Sequence, residues 1–257
     1  MTRRAPPRSQ RICVVMPALN AARTLERTVR DLPAGWVDDV VLVDDHSGDA
    51  TVDVARRLGL HTLVHPARRG YGGNQKTCYR EALARGADIC VMIHPDHQYD
   101  PRTIPDLVEP LLAGTCDAVF GSRMLDGGAL EGGMPVWKYV ANRGLTAIAN
   151  ATFGVALSEC HSGLRAYHRR YLDAINLDAN SDDFVFDTEV IAQGLDRGLR
   201  IREIPIATRY FPEASQIGFL RSVRYGVSFL VVLARYTLHR TGLWRSRLFV
   251  LPEAHGV

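Results

Sequence analysis

Residues 89 to 101 read ICVMIHPDHQYDP: an apolar run stops at a histidine, and His94, Asp96, His97, Gln98 and Asp100 then crowd together. Imidazole, carboxylate and amide groups at this density suit a divalent cation. The same spelling suits a polar turn, or the start of a helix opened by Asp100 and Pro101. A second acidic pair, Asp44 and Asp45, follows the apolar run VVLV. A carboxylate there can accept from a nucleobase N–H or a ribose hydroxyl; an Asx turn leading into the next helix is the alternative. A third cluster, NSDDFVFDTE, supplies Asp182, Asp183, Asp187 and Glu189. Asp182 and Asp183 are expected to start a helix, so capping competes with any catalytic role for them. Asp187 and Glu189 lie two apart, share no helix face, and are not a paired acid and base.

The elements that must position these residues are legible as alternating patterns. ICVVM (12 to 16), VVLV (40 to 43), TLV (62 to 64), ICVMI (89 to 93) and AVF (118 to 120) read as buried strands. Between them NAARTLERTVRDL, DATVDVARRLG, NQKTCYREALARG and PRTIPDLVEPLLAG read as helices, the second opened by Ser47 or Asp49 and closed by Gly59. Strand alternating with helix predicts an α/β fold, a mostly parallel central sheet with helices on both faces. Ligands of such sheets bind beyond the carboxyl ends of the strands. There the sequence places PALN (17 to 20), DDHSGD (44 to 49), HPDHQ (94 to 98) and GSR (121 to 123), gathering acids, amides and an arginine along one edge. The glycine-rich GSRMLDGGALEGGMP breaks the pattern and predicts a mobile loop over that edge. Beyond it the periodicity predicts a helix over 136–153, an extended GLRAY, a helix over 183–197, a strand through IREIPIATRY and a last helix over 216–239.

Composition narrows the function classes. The 257 residues carry a net charge of only +3, which does not indicate a nucleic-acid binder. Lysine occurs only at Lys76 and Lys138, a bias that suits phosphate recognition by arginine but fits a GC-rich genome as well. Five cysteines without metal-ligand spacing, two of them inside apolar runs, predict reduced core residues of a cytoplasmic protein. Residues 1–10 are basic with no apolar segment behind them and read as a flexible arm rather than a secretory signal. GVSFLVVLA, the most apolar stretch near the C-terminus, falls short of the roughly 20 residues that span a bilayer.

The order and spacing of VVMPALNAARTL, VVLVDDHSGDATVDVA, GYGGNQ, the acidic run after the fourth strand, GSR with its glycine-rich loop, and SGLRAY resemble the family-2 glycosyltransferases of GT-A fold. The resemblance spans residues 11–215, leaving 216–257 as a basic amphipathic helix and tail, and is strongest to the branch typified by dolichol-phosphate mannosyltransferase and bacterial polyprenyl-phosphate glycosyltransferases. It implies an inverting transfer from a nucleotide diphosphate sugar, a UDP- or GDP-sugar, aided by Mg2+ or Mn2+. Asp44 and Asp45, with Asn20 and the backbone around Pro17 and Ala18, would hold the nucleoside, and Asn20 is followed by Ala21 where relatives often have glutamate. Arg69 and Lys76, in the glycine-rich RRGYGGNQK, are phosphate contacts or solvated surface positions. Asp96 falls on the family's metal ligand and Gln98 on its glutamine, whereas His94 stands where relatives usually carry an aspartate. An imidazole there would favour manganese over magnesium as a ligand, or would donate to a sugar hydroxyl or the diphosphate. His97 has no role and is expected at the surface.

The acceptor side follows from the same resemblance. Arg123 and Lys138 match the residues that hold an acceptor phosphate, Trp137 lies beside the second, and Arg165 and His161 are further acceptor candidates with structural alternatives. A phosphate acceptor arrives ionised and needs no base. A hydroxyl acceptor does need one, and Asp183 is the candidate. The last helix mixes apolar residues with arginines, as would either an interfacial helix at the inner face of a membrane or a helix packed on the core. Three alternatives stay open: transfer to a soluble hydroxyl acceptor, a non-catalytic nucleotide-sugar binder, and a nucleotidyltransferase, whose basic glycine loop after the first strand is missing here.

Overall fold

The computed structural model describes residues 5–208 and 219–251. In chain order the elements are β1 (Ile12–Ala18), α1 (Leu25–Arg30), β2 (Asp39–Asp44), α2 (Thr51–Arg57), β3 (His61–Val64), α3 (Gly70–Ala84), β4 (Ile89–Met92) and α4 (Ile104–Leu112). Then come β5 (Ala118–Ser122), α5 (Gly128–Glu131), α6 (Val136–Phe153), β6 (Arg165–His168), α7 (Arg169–Asp173), α8 (Phe186–Asp196), β7 (Ile201–Pro205) and α9 (Phe219–Arg240). The strands form one sheet in the order β3-β2-β1-β4-β6-β5-β7. Its central strands β1 and β4 are buried on both sides because both sides are covered. Cys13, Val15, Val41 and Met92 pack into one core with α3, α8 and α9 residues, and Ile12, Val14, Leu42 and Val91 into the other with α1, α2 and α4 residues.

The chain runs from β1 out to β2 and β3 on one side and to β4 on the other, all parallel to β1 or to its neighbour. This reversal opens the crevice in which open α/β sheets take their ligands. β6, the extended GLRAY segment, is antiparallel to both β4 and β5. Its direction has a consequence for the site: the loop that precedes β6, rather than the one that follows, lies at the carboxyl ends of the parallel strands. Residues 158–164 therefore belong to the ligand edge.

Several boundaries differ from expectation. α3 begins at Gly70 rather than Asn74, so the glycine segment is the first turn of the helix. α8 begins at Phe186, beyond Asp183, and the strand through IREIPIATRY ends at Pro205. Residues 209 and 210 of that segment, and 216–218 of the expected last helix, lie outside the described residues, as do residues 1–4 of the arm. The rest of the arm is tied down: Arg8 donates to the carbonyls of Trp36 at 2.9 Å and Gly35 at 3.3 Å. All five cysteines are buried and free. No helix among the described residues is long and apolar enough to cross a membrane.

Candidate active site

Four loops leave the carboxyl ends of β1, β2, β4 and β5, and each carries one non-glycine residue with positive φ: Asn20 at 53°, His46 at 63°, His97 at 59° and Asp126 at 59°. These are all such residues among the described ones. Backbone strain of this kind persists only where surrounding contacts impose it, and here it is confined to one edge of the sheet.

The donor side of that edge is tightly cross-linked. Asn20 donates its backbone N–H to Ser47 Oγ at 2.8 Å and accepts from Gly48 N at 2.9 Å, stitching the first loop to the second. Asp44, 1% exposed, accepts from Ser47 N at 2.9 Å, which is the Asx turn. Asp45, 4% exposed, accepts from Arg69 N at 2.8 Å, Gly70 N at 3.0 Å and the His65 ring at 2.9 Å, so it caps the start of α3. Neither residue expected to cap α2 is its N-cap, which is Ala50: Asp49, one residue earlier, accepts from Thr51 N at 3.0 Å, while Ser47 serves the loop. Pro17 and Ala18 end β1, fully inside the sheet.

The glycines of RRGYGGNQK have a packing cause. A Cβ on Gly72 would lie 2.3 Å from the Ser181 carbonyl oxygen, and one on Gly70 2.6 Å from that of Asp182. Gly72 N in turn donates to the Asp182 carbonyl at 2.8 Å. The segment is a joint between α3 and the 181–182 backbone. Lys76 belongs to the same joint: it is buried, with its ammonium on the Asn180 carbonyl and Asp182 Oδ1. The expected phosphate contact is corrected accordingly, since the charge is already satisfied within the chain.

Beyond β4 the chain turns through 95–98, with His97 in the left-handed region, and burial alternates from residue to residue. His94, Asp96, Gln98 and Asp100 are half-buried, whereas Pro95, His97 and Tyr99 are buried. One imidazole, one carboxylate and one amide thus stay partly exposed at this turn. His97 turns inward and meets Asp31 at 3.0 Å, which corrects its expected place at the surface. Asp100 accepts from Arg102 N at 3.0 Å and starts the turn that leads into α4, as expected. Among the described residues Asp96 accepts a local bond from Gln98 N at 3.1 Å through Oδ1. No three His, Cys, Asp or Glu side chains gather as a metal cluster among the described residues. The donor set fits a hard or borderline cation that fills its remaining positions with water and ligand phosphates.

On the acceptor side Arg123 follows β5 directly. Its Nε donates to Glu159 Oε1 at 2.9 Å, and its backbone N–H to Oε2 at 2.8 Å. Glu159 is 1% exposed and also accepts from Asn142 of α6 at 2.8 Å. Burial alone would raise its carboxyl pKa; the Arg123 charge and these donors outweigh that and hold it below the ordinary value. Lys138 lies on α6 with Nζ 5.5 Å from the Trp137 ring centroid. Asp183 is half exposed at its side chain, accepts from Phe184 N at 2.8 Å and lies 3.8 Å from Arg224 of α9.

His161, in the loop before β6, bonds Tyr225 of α9 through Nδ1 at 2.7 Å. Its Nε2 is buried without a partner, and burial lowers the ring's pKa to about 4, so the imidazole is neutral at physiological pH. Arg165 is 0% exposed and spends its guanidinium on the Ser162 and Cys160 carbonyls, both at 2.9 Å, and on Asp187. It shapes the loop before β6 and is not presented to a ligand, which corrects the acceptor role expected of it.

Comparison with known proteins fits this edge to a family. The family model described as glycosyl transferase family 2 matches residues 13–175, which span every loop just described except that of Asp183. The chain belongs to glycosyl transferase family 2. It is 31% identical to the undecaprenyl-phosphate mannosyltransferase of Micrococcus luteus over 76% of this chain and 82% of the relative. It is 26% identical to the UDP-N-acetylglucosamine–dolichyl-phosphate N-acetylglucosaminyltransferase of Methanococcus voltae over 77% and 86%. Among solved structures it resembles glucosyl-3-phosphoglycerate synthase from Mycobacterium tuberculosis, in complex with Mn2+, UDP-glucose and phosphoglyceric acid. That likeness has a TM-score of 0.70 at 23% identity and covers 96% of this chain and 82% of the other; it establishes the shared GT-A fold.

This glycosyltransferase contains functional neighbours that motif reading did not supply. Glu159 is the partner of Arg123, and nothing in VALSECHSG marks it. Tyr71 donates to Asp187 at 2.8 Å and its ring lies 5.5 Å from that of His94. Gly163 makes room for His94, since a Cβ there would lie 3.0 Å from the imidazole. The glycine of HSGLRAY was the available signal, but only tertiary structure says what approaches it.

Proposed function

We propose that this enzyme is an inverting glycosyltransferase that moves a sugar from a UDP- or GDP-sugar to a polyprenyl phosphate at the cytoplasmic face of a membrane. The observation that carries the reading is the alternating burial after β4, which leaves His94, Asp96 and Gln98 partly exposed at the ligand edge. The relatives named above act on undecaprenyl and dolichyl phosphates, which supports the acceptor class.

The roles divide along the edge. Asn20, Asp44, Asp45 and the backbone at Pro17 and Ala18 hold the nucleoside; carboxylates already bonded to protein N–H groups keep free lone pairs for a base or ribose. Asp96, with His94 and Gln98, would hold Mg2+ or Mn2+, which supplies Lewis-acid stabilisation of the departing diphosphate. Arg123, fixed by Glu159, and Lys138 hold the acceptor phosphate, and neutral His161 offers its Nε2 to sugar or acceptor. An acceptor phosphate oxygen attacks the anomeric carbon from the face opposite the diphosphate. The new C–O bond forms as the bond to the diphosphate breaks, and the configuration inverts. A phosphate nucleophile already carries its charge, so no base is required.

The test is transfer from labelled UDP- and GDP-sugars to a short polyprenyl phosphate with Mg2+ or Mn2+. Asp96→Asn is expected to lose at least about a hundredfold in kcat, the scale of losing one preorganised electrostatic partner. Arg123→Ala is expected to raise the acceptor KM. Transfer only to a hydroxyl acceptor, abolished by Asp183→Asn, would replace the phosphate reading with the soluble-acceptor one.

A further inference from the structure

We infer that α6, α9 and the segment that follows α9 form a docking surface for an anionic lipid bilayer. Each helix has two opposed faces. α9 buries Phe229, Val232 and Tyr236 against the body of the protein, and α6 buries Thr146, Ala149 and Phe153. The two helices touch each other, with the Phe153 and Tyr236 rings 4.8 Å apart. On the opposite face of α9, Val223, Val227 and Val231 recur at a spacing of four, 50%, 59% and 45% exposed. On the opposite face of α6, Val136 and Val140 are 69% and 63% exposed, and Ile148 continues the row. Just past α9, Leu243 is 78% exposed beside a half-exposed Trp244. A helix that needed only to pack on the core would carry polar residues here. Apolar faces on neighbouring helices, with an aromatic at the rim, are the composition of an element that lies in a lipid interface.

Charge selects the occupant. Residues 132–158 and 219–251 contain eight of the chain's 31 Lys and Arg and none of its 28 Asp and Glu. With a net charge of +3 for the whole chain, the remainder of the protein is net acidic. The segments that expose the apolar rows therefore carry a net positive charge, which would meet lipid phosphates. A second copy meeting this face would bring arginines onto arginines. The face also adjoins the acceptor site: α6 supplies Asn142 to Glu159, the partner of Arg123, and α9 supplies Tyr225 to His161. The docking surface deepens the polyprenyl-phosphate reading and rests on it for its purpose, because it would bring the Arg123 pocket to the depth at which a lipid phosphate lies.

Flotation of the full-length protein with acceptor-free vesicles tests the surface separately from the reaction. Vesicles containing phosphatidylglycerol should bind at least about tenfold more protein than pure phosphatidylcholine, and added salt should weaken the binding. Val227→Gln/Val231→Gln and Arg143→Ser/Arg245→Ser should each lose about tenfold in vesicle binding while keeping transfer to a short, water-soluble polyprenyl phosphate. The second pair keeps the inference testable if the first fails to fold. Flotation unchanged in both variants, no preference for anionic vesicles, or a dimer broken by the Val227/Val231 changes would each overturn it. Flotation as expected with no transfer to any phosphate acceptor would leave the surface standing and sink the acceptor reading.

Discussion

The two halves of the ligand edge are held by different kinds of bond. On the donor side Asp44 is clamped by the nearby Ser47 N–H and Asp45 by the N–H groups of Arg69 and Gly70, and the 181–182 backbone locks onto α3 through glycine contacts too tight for any side chain. On the acceptor side the central bond is between side chains, Arg123 with a Glu159 brought from 36 residues away, and the walls are helices with exposed apolar faces. A donor site that reads a common nucleotide can be rigid. The acceptor side, which we propose receives a chain from a lipid surface, is built instead on one buried ion pair and two helices with exposed apolar faces.

The sharpest way to break this contrast is to remove the ion pair. Glu159→Gln leaves Arg123 without its buried counter-charge and should cost about 3 kcal/mol of stability, the scale for losing one partner of a buried pair. At temperatures where the variant stays folded, the acceptor KM should rise about tenfold while nucleotide affinity, read by calorimetry, stays within twofold. Equal losses on both sides would mean that the halves are not separable.

The reciprocal change is Gly72→Ala. Its Cβ would meet the Ser181 carbonyl, so the joint must shift at a cost of about 2 kcal/mol, the usual scale for overpacking. Here nucleotide affinity should fall and the acceptor KM should hold.

The smallest effect concerns Glu189 in α8, which accepts from Ser181 N next to the joint. Burial raises its carboxyl pKa from 4.5 to about 7. Between those values the folded chain keeps a proton that the unfolded chain has lost, so stability declines as pH rises through this window and levels off above it. Glu189→Gln should remove that decline and stabilise the protein by about 1–2 kcal/mol above pH 7. A pH profile of thermal unfolding that matches the wild type would show that the carboxylate is accommodated at no cost, and that this side is less tightly packed than it looks.

Much of this was legible in the sequence. Apolar runs covered on both faces, each followed by a polar cluster, determined the strands, their parallel order near β1 and the edge at which ligands gather. Motif order determined the family, and the local chemistry of Asp100 and Pro101 determined a helix start. Tertiary structure decided the rest, because it depended on approach between distant segments. The direction of β6 brings Glu159 and His161 to the edge; a one-dimensional pattern of apolar residues reads the same in either direction. The glycines of GYGG carry no sequence sign of what approaches them until the 181–182 backbone is seen lying on them. Lys76 and Arg165 looked like phosphate ligands because side-chain type reports charge, whereas only packing reports that the charge is already paired. Within HPDHQ the sequence supplied the polar groups, whereas the left-handed turn at His97 and Asp31 beneath its imidazole decide which of them stay partly exposed.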